Sequence, residues 1–244
     1  MKIIDNVYIV PGVIANPYII VDADGLTIID TGLPRSERKI LAYVASLGKS
    51  AQDVKRIILT HSDFDHVGGL PALQKATGAR TYASQIEADA IAAGKSSRQI
   101  KPSGLSMRRL MFTLMSPFMK AVPFQVDEIL TDGQVLPVLG GLHVMETAGH
   151  TPGHISLFAP SAGLLFCGDS MVTDSTGIHG SRPGVTWDQA RAADAVKKQS
   201  ALGAHIVCSG HGPVVMMRSA NSRFSHLPDS RWYLKESAND SSRQ

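Results

Sequence analysis

Two imidazoles and two carboxylates fall within six residues of one stretch, His61-Ser62-Asp63-Phe64-Asp65-His66, which is flanked by Thr60 and by Val67-Gly68-Gly69. Histidine nitrogen binds zinc, iron and manganese, and carboxylate oxygen suits harder ions, so the chemistry open to this stretch is metal binding. A short apolar run, 56–59, precedes it and places it on the loop at a strand's end. In an extended segment alternate side chains share a face. His61, Asp63 and Asp65 can then point one way, while His66 diverges as the chain turns at Gly68-Gly69 toward a helix. Such a segment can feed ligands to two adjacent cations rather than one. The plain alternative is a polar loop that happens to be rich in Asp and His.

Three further stretches argue against that alternative: Ala148-Gly149-His150-Thr151-Pro152-Gly153-His154, Phe166-Cys167-Gly168-Asp169-Ser170 and Ser209-Gly210-His211-Gly212-Pro213. Each reads as a strand end, then small residues, then one ligand-type side chain. The glycine before the ligand lets the backbone turn sharply or approach closely. One such stretch is weak support; four in this order form a pattern.

The elements that must position them read as follows. Runs 2–10, 17–21 and 26–29 are rich in Ile, Val and Tyr and separated by turn residues, so they read as strands. A helix is expected over 36–47, a buried strand over 56–59, and helices over 69–76 and 85–93. The second half repeats the logic, with strands at 142–146, 155–158, 163–167 and 205–208 and a helix at 187–202. This grouping predicts two mainly mixed or antiparallel sheets packed face to face and covered by helices. It reads as one domain over 1–236, followed by a polar tail at 237–244. One insertion, about 95–125, stands apart. Met107, Leu110, Met111, Leu114, Met115, Phe118, Met119 and Val122 recur at helical spacing, and Pro117 should kink or end that helix. It reads as a helix packed on the core, a lid over a pocket, a membrane-surface contact or a homodimer contact.

Composition removes several classes. The 244 residues are 43% apolar and carry 24 Lys+Arg against 21 Asp+Glu, as expected for an ordinary globular chain. No apolar run approaches the ~20 residues of a membrane span. The opening MKIIDNVYIV lacks a signal peptide's apolar core, which points to the cytoplasm. Cys167 and Cys208 make no disulfide framework and read as buried thiols. The positive charge is dispersed, so no nucleic-acid partner is expected; the expected partner is a small-molecule substrate.

Taken together, THSDFDHVGG, GHTPGH, CGDS and SGHGP resemble the metallo-β-lactamase superfamily, whose pattern is THxHxDHxGG, then GHTPGH, GD and a late GHG. Ile29-Asp30-Thr31-Gly32 resembles the family's DTG turn. The resemblance runs from about residue 5 to 215. It implies an α+β fold, a four-layer αβ/βα sandwich of two mixed sheets flanked by helices, with a two-metal site at one edge. Carried over position by position, it implies that His61 and His150 bind the first metal, that Asp65, His66 and His211 bind the second, and that Asp169 bridges them. Asp63 departs from the pattern, because the family usually has histidine there; aspartate can still ligate the first metal. Against two divalent ions, three carboxylates leave one positive charge, one unit less than an all-histidine loop would. Asp63 is therefore expected to weaken the first metal's Lewis acidity and to favour manganese or iron. Asp30 and Thr60 are expected to orient ligands through hydrogen bonds. His154 reads as an orienting or structural residue, and His143, His179, His205 and His226 as structural or surface residues.

The resemblance implies a binuclear hydrolase that holds two divalent ions, zinc first, with manganese or iron as alternatives. A metal-bridging hydroxide would attack an ester, lactone, thioester or amide of a small substrate, with Asp65 as general base, and the Met-rich stripe favours a partly apolar one. The alternatives are a di-iron oxidoreductase of the same superfamily and a non-catalytic metal-binding member. The first usually carries a flavin domain, for which little chain follows residue 215.

Overall fold

Adjacent residues of a strand face opposite ways. The computed structural model of the protein describes residues 1–98 and 121–217. In it Ile19 and Ile20, Ile28 and Ile29, and Ile57 and Ile58 are all buried. The first of each pair joins one apolar cluster and the second another. Leu164 and Leu165, and Phe166 and Cys167, divide in the same way between the second of those clusters and a third. Strands buried on both faces read as unbroken apolar runs, and three apolar layers between four structural ones follow.

The first sheet runs in the order β1 (Lys2–Ile4), β2 (Val7–Ile9), β3 (Tyr18–Asp22), β4 (Gly25–Ile29), β5 (Val54–Ile58), β6 (Arg80–Ser84), β7 (Glu128–Leu130). It is antiparallel through β4 and parallel from β4 onward. The second has β8 (Val135–Leu136), β9 (Leu142–Glu146), β10 (Ile155–Ala159), β11 (Leu164–Gly168), β14 (Ile206–Ser209) and β15 (Val215–Met216) side by side. Only β11 and β14 are parallel there. A separate hairpin pairs β12 (Met171–Asp174) with β13 (Gly177–Gly180).

Helices α1 (Glu37–Ser46), α2 (Phe64–Val67), α3 (Leu70–Thr77) and α4 (Gln85–Ala92) precede β7, and α5 (Gln189–Ser200) precedes β14. Ile40 and Val44 of α1, Leu70 and Leu73 of α3 and Ile91 of α4 seal the outer face of the first sheet. Val196 of α5 packs on the outer face of the second. Between the sheets, Tyr18, Ile20 and Ile58 meet Leu157 and Phe166, and the rings of Tyr18 and Phe166 lie edge to face at 5.3 Å. Each fully buried side chain of this kind contributes about 1.5–3 kcal/mol. The expected αβ/βα sandwich is the fold observed.

Two local expectations need correction. The run 2–10 is two strands, with Lys2 opposite Tyr8. Asp5-Asn6 supplies the turn, as such residues do, and Ile3, Val7 and Ile9 all reach the inner core. The segment 61–66 is not extended throughout: α2 starts at Phe64, with Asp63 in extended conformation before it. The short strands β6, β7, β8, β12, β13 and β15 carry too few apolar residues to announce themselves. Of the 95–125 insertion, 95–98 and 121–125 contain no helix. Its Met-rich stripe through Met119, together with His226 and the 237–244 tail, lies outside the described residues. No helix among the described residues is long and apolar enough to cross a membrane.

Candidate metal centre

Strand direction brings the four ligand-type stretches to one edge. β4 and β5 are parallel, so the residues after them, Asp30 and Thr60-His61, emerge together. β11 and β14 are parallel with Gly168 beside Ser209, so Asp169 and His211 emerge together on the facing sheet. The chain between β9 and β10 brings His150 and His154 to the same edge, where the Ile155 N–H donates to the Thr60 carbonyl at 3.0 Å. Gly210 is required here: a Cβ would lie 2.2 Å from Asp169 Oδ1 and 2.7 Å from His66 Cε1.

All seven side chains singled out by sequence converge. Ligand atoms of His61, Asp63 and His150 lie within 4.8 Å of one another, as do those of Asp65, His66 and His211, and those of His61, His66 and Asp169. Asp169 lies between the first two groups, its Oδ2 being 3.6 Å from His150 Nε2 and 3.3 Å from His211 Nε2. α2 begins between Asp63 and Asp65, so the two carboxylates fall in different groups, while the His61 and His66 rings stay 4.0 Å apart at the junction. His61 Nε2, His66 Nε2 and Asp169 Oδ1 are buried and make no hydrogen bond, although the last two face each other at 3.3 Å. Unpaired buried polar atoms are costly. Three converging ones, two nitrogens and an oxygen, are the donor set that a divalent cation would satisfy.

Tautomers are fixed from behind. The Thr60 hydroxyl and N–H donate to Asp30 at 2.8 and 2.9 Å, and His66 Nδ1 lies 2.8 Å from the same carboxylate. With its proton committed to Asp30, the Thr60 hydroxyl can accept from His61 Nδ1 at 3.0 Å. Both histidines thus carry their proton on Nδ1 and present Nε2 to the cluster, as metal ligands do. Asp30 adopts φ +57°, a left-handed conformation that Asp tolerates better than most residues. His150 Nδ1 meets Ser181 Oγ at 2.8 Å. Fully buried His154 accepts the Asp169 N–H on Nε2 at 3.0 Å and so must be neutral; burial, then the neighbouring His61 and His150, hold its pKa well down. It positions Asp169, in line with its sequence reading.

Two residues escaped the sequence reading. Glu87 is fully buried on α4 and accepts the Ser62 N–H, the Thr151 and Ser97 hydroxyls and the Gly153 N–H, at 2.7–2.9 Å. It ties the His61–Asp63 loop to the His150 loop. The signal was an acid on the apolar face of α4, four positions before buried Ile91. Arg98 grips Asp63 at both oxygens, Nε to Oδ1 at 3.1 Å and Nη2 to Oδ2 at 2.5 Å, and Nη1 donates to the Val185 carbonyl. Nothing in local sequence announced this pair across 35 residues. It corrects the charge expectation for Asp63, because the carboxylate arrives with its own cation and the pair together is neutral, like histidine.

Charge settles the resting state. Burial pushes Asp63 up, but the hydrogen bond from His150 and the adjacent Arg98 guanidinium outweigh it and hold it well below the carboxylate range. Buried Asp169 and half-buried Asp65 are likewise held ionised by the surrounding histidines. Burial pushes His66 down, but Asp169 and Asp30 prevail and raise it. Hydrogen bonds to Asp169 and Asp65 raise His211 to about 9. His150 goes the other way, lowered chiefly by burial. His179 lies apart in the β12–β13 hairpin, 3.0 Å from Asp174. Cys167 and Cys208 are buried in the second sheet, their thiols pushed up by burial.

The sequence profile of the metallo-β-lactamase superfamily matches residues 10–211. A probable metallo-hydrolase of Bacillus subtilis, YflN, is 26% identical over 88% of this chain and 86% of its own. A hydroxyacylglutathione hydrolase of Cereibacter sphaeroides is 30% identical over 75% of this chain, which spans 56% of that enzyme's length. In structure, a metallo-β-lactamase family protein of Thermus thermophilus superposes with a TM-score of 0.73 over 97% of this chain and 82% of its own, at 23% identity. A metallo-β-lactamase of Cronobacter sakazakii with a HARLDQ motif does so with 0.65 over 86% and 79%, at 22% identity. These two likenesses concern the fold.

Proposed function

The chain belongs to the metallo-β-lactamase superfamily, and from that premise we propose that it is a binuclear metal-dependent hydrolase acting on an ester, lactone, thioester or amide of a small substrate. The observation that carries the reading is the convergence of seven ligand-type side chains around three buried atoms that lack partners. His61, Asp63 and His150 would hold one cation, Asp65, His66 and His211 the other, with Asp169 shared. Two divalent cations, zinc first and manganese or iron as alternatives, would supply Lewis acidity and a water of lowered pKa.

The chain's own groups do the rest. Asp30, through Thr60 and His66, keeps the imidazole lone pairs aimed inward. Asp65 is only partly buried and faces the cavity, its Oδ2 3.2 Å from His211 Nε2. Its ionised carboxylate is placed to accept a hydrogen bond from an attacking water, to orient it and to hold its proton in passing. Val172 and Val185 in the cavity wall, beside Arg182, suit a substrate with both apolar and anionic parts. The hydroxyacylglutathione hydrolase relatives make thioesters the first substrates to try.

The test is a panel of thioesters, lactones, esters and amides assayed before and after chelation. Hydrolysis of one class that chelation abolishes and zinc or manganese restores is expected. Hydrolysis indifferent to chelation would contradict the reading.

A further inference from the structure

We propose that Arg98 and Asp63 work as one neutral unit, and that Arg98 thereby sets the cation affinity of the His61–Asp63–His150 half-site below that of its neighbour. The inference rests on the reading that both half-sites hold cations.

The geometry is specific. Asp63 Oδ2 is the oxygen turned toward the cluster, 3.1 Å from His150 Nε2 and 3.6 Å from His61 Nε2. The same oxygen takes the Arg98 guanidinium at 2.5 Å, and the two side chains are only 15% and 6% exposed. A guanidinium so placed draws on the electron density that a cation would use, and it repels that cation across a poorly screened distance.

Arg98 is also held in place. Nη1 donates to the Val185 carbonyl, the Ser97 N–H donates to Ser62 Oγ at 2.8 Å, and the Ser97 hydroxyl to Glu87 at 2.8 Å. Asp63 has a second anchor in the Ser96 hydroxyl, which donates to Oδ1 at 2.6 Å, so the carboxylate keeps its orientation if the arginine is lost. No arginine or lysine pairs with the carboxylates of the other half-site among the described residues. Among the described residues Asp65 pairs only with His211, and Asp169 only with His66, His150 and His211.

The experiment is stepwise zinc and manganese titration by calorimetry of the wild-type chain and of Arg98→Met, Arg98→Gln and Arg98→Lys. Met keeps the apolar stem, Gln keeps a donor without charge, and Lys keeps the charge. The weaker of the two binding constants should tighten by about tenfold or more in the Met and Gln variants and stay within about threefold of wild type in Lys. The stronger constant should not move. An unchanged or loosened weak constant in Met or Gln, whichever retains the wild-type circular dichroism and Tm, overturns the proposal while the two-cation reading stands. A wild-type chain that binds no cation would bring down both.

Discussion

The two halves of the centre solve one electrostatic problem in different ways. Around His66 and His211 the negative charge stands behind and beside the histidines: Asp30 grips His66 Nδ1, and Asp65 and Asp169 face the two Nε2 atoms. Without a cation, those histidines hold protons. Around His61 and His150 a carboxylate stands among the ligand-type residues, an arginine neutralises it, and His150 is held neutral by burial. Supporting contacts differ accordingly. Asp30 acts directly on one half and only through Thr60 on the other, whereas Glu87 ties the loops of the His61 half. A cation among His61, Asp63 and His150 would displace few protons; one among Asp65, His66 and His211 would have to displace them.

The change that should erase the contrast is Asp169→Ala. It touches both halves, so activity should fall by about a thousandfold or more and both binding constants should weaken. Retention of one tight cation would show that Asp169 belongs to one half. Glu87→Ala leaves four donors without their acceptor and should cost about 3 kcal/mol in denaturant unfolding. It should loosen only the His61 half. Asp30→Asn presents an amide N–H2 toward His66 or Thr60 and should weaken the His66 half by about 10–100-fold and the His61 half less. Equal losses at both would dissolve the distinction.

The smallest effect is on pH. His211, raised to about 9, is protonated at neutral pH, so a cation must compete with its proton. Affinity in that half should therefore rise with pH toward about pH 9, by about tenfold per unit for each proton displaced, with His66 raised as well as His211. His150, lowered from its usual value, is already neutral at pH 7, and affinity in its half should be flat above that. Calorimetry in buffers of different ionisation enthalpy would read the protons released at each step.

How much of this was legible beforehand follows from the range of each signal. The core strands were visible because Ile28-Ile29 and Ile57-Ile58 are short apolar runs whose two faces must both be buried. The seven side chains were visible because each follows a strand and a glycine or sits in one dense stretch. The turn of α2 was not, because Phe64-Asp65-His66-Val67 is too short for any period to emerge; the division of ligand-type residues between halves came from the resemblance instead. Arg98 and Glu87 act on Asp63 and Ser62 from 35 and 25 residues away, through tertiary contacts that leave no spacing to read. The ion pair on Asp63 was therefore invisible in the sequence, although the seven side chains singled out there do converge.

The most direct test of the central claim is anomalous diffraction from crystals of the cation-loaded protein, recorded at the absorption edge of the added metal. Two peaks are predicted, one among His61, Asp63 and His150 and one among Asp65, His66 and His211, with Asp169 touching both. A single peak, or two peaks with Asp63 turned wholly to Arg98 and away from either, would contradict the account.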